Sequence, residues 1–366
     1  DELQGQVTLH TLNALLSSLV VEIPGRRKEP DWIAAHLYPF VGELVHYDAV
    51  NRRGHPVIER YMFRDGGGWA YHVLRKDPDQ SRRELVRDEL VELLRDSDSA
   101  LGRVASALHS HDYAQVSDFT DESESETVIL DGVSPWPDHL RQGVHSIVSR
   151  TASPRAKRIE HLMHWVPYCL ARHELAVARA SLGLEREIVT IDATRDTANQ
   201  LRVHSQGLLN EFSWNISEAL TRRALEMSTA DDSADSDERW AKYLAPNAAF
   251  TRSPKGFFTG TLGAVGALNA VTGKRHFVFK PALLEALACA SLPAGTEVEF
   301  NDFCALLFRE YGVVITDRTA TQIALTTDID AGVFAANALA FKERLTAAGL
   351  LTHYSDATSL VHGETR

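Results

Sequence analysis

The sequence predicts a mainly α-helical protein with small β elements, an α+β chain with a helical middle. Three observations predict it: apolar residues recur at helical spacing over most of the chain, strict alternation is confined to short runs, and two Asp/Glu/Ser-rich stretches interrupt the pattern. Those stretches, 118–126 and 228–239, have almost nothing to bury and read as acidic linkers. They leave an N-terminal α+β region with a hairpin over 1–117, a helical region over 127–227 and a C-terminal region over 240–366. A length of 366 residues exceeds what one core usually serves, so several domains are expected.

In the N-terminal region, residues 7–21 read as a helix. A second helical segment spans 31–45, where Trp32, Ile33, His36, Leu37, Phe40 and Leu44 share a face and Pro39 bends or breaks it. The period then changes. Val57, Glu59, Tyr61 and Phe63 alternate, Gly66, Gly67 and Gly68 suit a turn, and 69–74 (WAYHVL) resumes an aromatic, extended run, which predicts a hairpin. Residues 81–94 place Leu85, Val86, Leu90, Leu93 and Leu94 on one face against charges on the other, an amphipathic helix.

The middle region is the most strongly helical. Ile159, Leu162, Met163, Val166, Leu170, Leu175 and Ala178 recur across 155–182, Gly183 stops the run, and Pro167 kinks or divides it. A strand-like run, 187–192 (EIVTID), leads into a long helix over 194–227, so an antiparallel helical pair or small bundle is expected.

The C-terminal region opens with 240–250 and a Gly-rich segment over 256–273. Helices are expected over 281–291, 300–311 and 332–348, the last closed by Gly349, with a strand at 312–315 and a terminal hairpin of 350–354 with 359–362. Over 277–362 this order of helices, then a Gly-terminated helix and a hairpin, resembles a winged-helix domain. The resemblance rests on element order, not on a diagnostic residue. It implies contact with DNA or protein and makes 332–348 the recognition helix.

Composition narrows the function classes. The apolar fraction of 44% and charged fraction of 24% are globular averages and exclude disorder or a collagen-like chain. Three widely spaced cysteines, Cys169, Cys289 and Cys304, sit in apolar helical surroundings and read as buried small hydrophobes rather than a disulfide framework. No apolar run approaches the roughly 20 residues of a membrane span, so no membrane partner is expected and the location reads as cytoplasmic. The net charge of −12 argues against nucleic-acid binding over the whole surface but permits a local basic patch. The acidity lies at the front, where residues 1–125 hold 22 Asp and Glu against 14 Lys and Arg.

Motifs that would carry chemistry fail on inspection. Lys274 follows Gly273 as in a phosphate loop, but Leu268 stands where the first Gly belongs and Arg275 where the magnesium-holding Ser or Thr belongs. Gly260, Gly263 and Gly266 lack the preceding strand and later acid of a dinucleotide fingerprint. His161 and His164, with Glu160 and the later His173 and Glu174, share one helical stretch without the spacing of a helical metal site. His109 and His111 suggest a His-x-His metal pair. They follow a helix-like run, however, on which the two rings would point about 200° apart. No Gly-x-Ser-x-Gly elbow or Ser-x-x-Lys pair is present.

For binding, the candidates are basic residues beside aromatic or small ones: Arg252, Lys255, Lys274, Arg275 and Lys280, then Lys342 and Arg344 on the recognition helix. The expectation is a non-catalytic subunit, without cofactor, of a bacterial multi-protein assembly, binding protein partners and possibly DNA. DNA processing or genome defence is its setting by fold-level analogy. The alternatives are a metal-dependent hydrolase or nuclease built on His109, His111, His161 and His164, and a pure protein scaffold.

Overall fold

A computed structural model of the chain describes residues 20–21, 31–32, 48–52, 55–59, 66–94, 133–194, 199–230, 241, 249–270, 273–354 and 358–364. It divides into two compact units, Asp1–Val128 and Ile129–Arg366. Among the described residues helix dominates both, with short strands besides.

In the first unit, β1 (Val20–Val21) pairs antiparallel with β2 (Asp31–Trp32), and β3 (Asp48–Arg52) pairs antiparallel with β4 (His55–Glu59), Arg52 facing His55. Helix α1 (Gly66–Arg75) and helix α2 (Gln80–Leu94) follow. The helix expected at 81–94 is therefore present. The extended run expected at 69–74 is not: these residues lie inside α1, and the hairpin is β3–β4. Trp69, Ala70 and Val73 recur one helical turn apart and are buried, a pattern that a short aromatic run shares with a strand until burial decides it. Buried Asp77 organises the α1–α2 turn, accepting from Arg82 Nη2 at 2.6 Å and from the Asp79 backbone N–H at 3.0 Å. Residues 20–21 and 31–32 are strands where helices were expected; the rest of those two segments lies outside the described residues, as do 101–108, His109 and His111.

The second unit is built on helices α3 (Trp136–Val148), α4 (Arg155–Ser181), α5 (Gln200–Thr229), α6 (Ala249–Ala264) and α7 (Pro281–Ser291). Helix α3 buries Trp136, Leu140, Val144 and Ile147 along one stripe and starts on a Pro-rich turn with Pro137 in its first positions. At Gly143 it meets Trp165 of α4 so closely that a Cβ would lie within 2.7 Å of three atoms of the indole. Helix α4 runs unbroken through Pro167, which removes one backbone donor without dividing the helix. Helix α5 begins later than expected because Asn199 accepts the Leu201 N–H at 2.8 Å, a side-chain cap. The first half of the Gly-rich segment is the end of α6, beyond which Gly266 turns the chain with φ of 86°.

Helix α7 is the centre. Leu283, Leu284, Ala286, Leu287, Ala288, Cys289 and Ala290 are all buried, and the helix packs on α3, α4 and a later helix, α10 (Ala331–Ala347). Each fully buried Leu contributes about 1.5–3 kcal/mol of transfer free energy. Arg150, just beyond α3, ties the end of α7 down: it donates to the Cys289 carbonyl at 2.9 Å and to the Leu292 carbonyl, and pairs with Glu364 at 2.6 Å.

The chain continues through β6 (Glu297–Glu299), α8 (Phe300–Tyr311), β7 (Val313–Val314), α9 (Asp317–Thr321), a 3₁₀ turn (Leu325–Thr327), α10 (Ala331–Ala347), β8 (Leu351–His353) and β9 (Ser359–His362). Strand β9 lies between β6 and β8 in an antiparallel sheet. The three expected helices and the terminal hairpin are thus present. Between α8 and α10, however, residues 312–330 carry β7, α9 and the 3₁₀ turn, where a helix-turn-helix uses about 3–4 residues. Strand β7 leaves this small sheet and pairs parallel with β5 (Val189–Thr190), Val189 opposite Val313. The segments on either side of the second acidic stretch therefore share one core. Gly312 makes the turn into β7 with φ of 64°, and a Cβ there would stand 2.6 Å from the Glu187 carbonyl oxygen.

Candidate functional site

The basic residues singled out from the sequence occupy different parts of the second unit. Arg252 and Lys255 belong to α6, and Lys255 is exposed. Residues 266–270 and 273–280 run back along each other through the Leu268–Phe277 bridge, with the Asn269 N–H donating to His276 O and the Lys280 N–H to Gly266 O. Lys274 and Arg275 lie near the tip of this turn, while Lys280 stands at its base, where its side chain lies against Gly266.

Helix α10 uses its two bases inwardly. Arg344 donates from Nη1 to Val278 O at 2.6 Å and from Nη2 to Ala193 O at 2.8 Å, and Lys342 Nζ sits 4.7 Å from the centre of the Phe300 ring. The outward face of α10 is Ala335, Ala336, Leu339 and Glu343, all exposed, with Leu339 at 61%. The β8–β9 hairpin that follows has no Lys or Arg between Gly349 and Gly363.

Arg344 belongs to a buried polar hub on the segment after β5. Asp192, fully buried, accepts from the Thr194 hydroxyl at 2.6 Å and from Arg202 Nε at 2.7 Å. Asn337 of α10 accepts the Ala193 N–H at 2.7 Å and donates to the carbonyls of Ile191 and Ile315, each at 2.9 Å. His276 lies 3.6 Å from the Asp192 carboxylate, yet burial first, and Arg202 next, lower its pKa, so it is held neutral. The partners here are backbone groups, the Thr194 hydroxyl and the matched charge of Arg202. The hub sutures the strand pair to α10.

The histidines on α4 separate. His161 is buried with Nε2 3.5 Å from Glu285 of α7, and His164 Nδ1 lies 2.9 Å from Val265 O. His173 and Glu174 lie at the far end, about 14–20 Å along the helix from that pair at 1.5 Å per residue. Among the described residues no group of three or more His, Cys, Asp or Glu side chains is placed to hold one metal ion. No helix among them is long and apolar enough to cross a membrane.

A cleft of about 530 Å³ lies between the C-terminal halves of α4 and α5. Val177, Ala178, Ile216, Ala219 and Leu220 line it. Glu174 supplies a carboxyl whose Oε2 is buried with no hydrogen-bond partner among the described residues. Burial pushes that carboxyl up to about 8, so it is largely protonated at neutral pH. The cations at the rim are already matched: Arg222 pairs with Glu218 at 2.9 Å and Arg223 with Glu226 at 3.1 Å. His173 and Glu174 are visible in the sequence as polar residues on α4; what the sequence does not show is that α5 walls them into a cleft.

A scan against protein-family models finds no match to this chain, and comparison with curated proteins and with solved structures finds none either.

Proposed function

We propose that the chain is a non-catalytic subunit of a multi-protein assembly and that it docks a protein partner through the outer face of α10 and the adjoining β8–β9 hairpin. One observation carries this reading: the two bases of α10 turn onto the protein itself, leaving an outward face of Ala335, Ala336, Leu339 and Glu343. A helix that reads DNA needs free Lys or Arg for phosphate and base edges, and a small apolar patch with one acid suits a protein groove better. The basic residues Lys255, Lys274 and Lys280 remain available on other elements, so DNA contact away from α10 is the competing reading.

The test begins with the intact protein and labelled duplex DNA at low and moderate salt. No salt-sensitive binding is expected. Co-purification with the products of neighbouring genes should then be lost on Leu339→Arg, while the far-ultraviolet circular dichroism is unchanged. DNA binding that weakens with salt and disappears on Lys274→Glu with Arg275→Glu would overturn the protein-docking reading in favour of the basic turn.

A further inference from the structure

We infer that the cleft between α4 and α5 is a binding site for an apolar organic cation, an amine on a hydrocarbon or aromatic body, with Glu174 as its counter-ion. The inference stands independently of the docking face on α10. Its first support is geometric. A cleft of about 530 Å³ is of small-molecule size, and its walls of Val177, Ile216, Ala219 and Leu220 offer a ligand body nothing but apolar contact. Its second support is the orphaned carboxyl oxygen. A buried polar atom without a partner costs stability, and natural interiors leave few of them, so one that borders an apolar cleft marks where a ligand's polar group belongs.

Charge selects the ligand class. A carboxylate ligand would place a second acid against Glu174, and two carboxyls sharing a dry site resist ionisation. An alcohol would satisfy one hydrogen bond and leave the charge question untouched. An ammonium group satisfies the oxygen and also restores the ionised form that burial disfavours. The other charged or titratable groups facing the cleft are His173, Arg222, Arg223 and Glu226. The two arginines would repel a cation, but each is paired with its own carboxylate and exposed, at 56% and 71%, where water screens it. His173 is the α4 neighbour of Glu174 and is buried beside it.

The exchange is written as a proton balance. The protonated amine binds, the Glu174 carboxyl gives its proton to solvent, and a carboxylate–ammonium pair forms. With Glu174 titrating at about 8, close to one proton is released per ligand bound at pH 7. Affinity then rises about tenfold per pH unit below that value and levels off above it, because the amine itself stays charged to about pH 10.

The experiment is calorimetric titration of the full chain with three ligands of one body: 4-phenylbutylamine, 4-phenylbutanol and 4-phenylbutanoate. Titrations in two buffers of different ionisation enthalpy count protons. The amine is expected to bind at least tenfold tighter than the alcohol at pH 8, with close to one proton released at pH 7. Glu174→Gln, a near-isosteric change that keeps the fold, is expected to bring amine and alcohol to equal affinity and to abolish the proton release. Equal affinity of the three ligands for the unaltered protein would overturn the proposal, as would preference for the carboxylate, absence of binding by the amine, or undiminished amine binding by the Gln variant.

Discussion

Glu187 Oε1 accepts the indole N–H of Trp136 at 2.9 Å, and Arg172 Nη2 approaches the same oxygen at 3.3 Å. The Arg172 and Glu187 side chains are each 1% exposed, so this is an ion pair buried among rings: the guanidinium lies 4.7 Å from the Trp136 ring centre and donates to the Tyr168 hydroxyl at 2.8 Å and to the Tyr311 carbonyl at 2.9 Å. It fastens α3, α4, the approach to β5 and the end of α8 at one point. Removing one partner leaves an uncompensated charge, and Glu187→Leu is expected to destabilise the second unit by about 3–5 kcal/mol in urea unfolding. Glu187→Leu combined with Arg172→Met should recover much of that loss. If the double variant is no more stable than the single, the desolvated charge is not the cause.

The two tightest glycines should tolerate no side chain. Gly143→Ala forces a methyl into the buried Trp165 indole, and Gly312→Ala adds a left-handed backbone to a clash with the Glu187 carbonyl. Each is expected to cost about 1–3 kcal/mol, a fall of about 2–12 °C in thermal midpoint for a unit of this size. Gly183→Ala, with open space around it, meets only the cost of its φ of 70° and should fall less.

Acid and base should act on different residues. Glu174 titrates at about 8 in the folded chain, above its unfolded value, so the folded state holds the proton longer. Its contribution is fully present below pH about 4.5 and is lost as pH rises towards 8. His139 moves the other way. Burial, reinforced by Arg186, lowers it to about 4, where it lies edge-on to Trp136 and Tyr311; its contribution is present above pH 6.5 and is lost as pH falls towards 4. Glu174→Gln is therefore expected to gain stability relative to the unaltered chain between pH 5 and 8, and His139→Phe to gain it between pH 6.5 and 4, both read as urea midpoints. Parallel pH profiles for variant and parent would contradict either assignment.

The three thiols should be silent in the folded state. Cys169, Cys289 and Cys304 are buried and free, and burial raises all three above the ordinary thiol range, Cys289 to about 11. A disulfide-exchange reagent at pH 8 is expected to label none until urea is added, and then all three. Rapid labelling of one thiol in native buffer would place it at a surface.

Legibility in the sequence followed the strength of local signals. The helices at 281–291 and 300–311 and the hairpin at the C-terminus were readable because Pro281, Gly312 and Gly349 mark boundaries beside clear apolar runs. Helix α3 was missed although Trp136, Leu140, Val144 and Ile147 have the right spacing and Ser134 stands at its start; its N-cap residue is Pro135, which makes no side-chain cap, and Pro137 follows within the first turn. The 69–74 run was misread because six aromatic and apolar residues fit either period. Arg344 looked like a contact residue because the sequence gives its charge but not its targets; the carbonyls of Ala193 and Val278 come from segments 151 and 66 residues away. The cleft beside Glu174 has the same origin, since a wall supplied by α5 leaves no trace in the pattern of α4.

The β5–β7 pair also limits how the second unit can be assembled. Each strand is two residues long, and the partners come from opposite sides of the second acidic stretch. Separately made pieces, one ending after Thr229 and the other beginning before Ala249, would each carry half of a ladder and half of the Asp192 hub. Neither would hold the complete ladder or hub, and partner binding by a split form would depend on fragment complementation rather than on two halves folding apart.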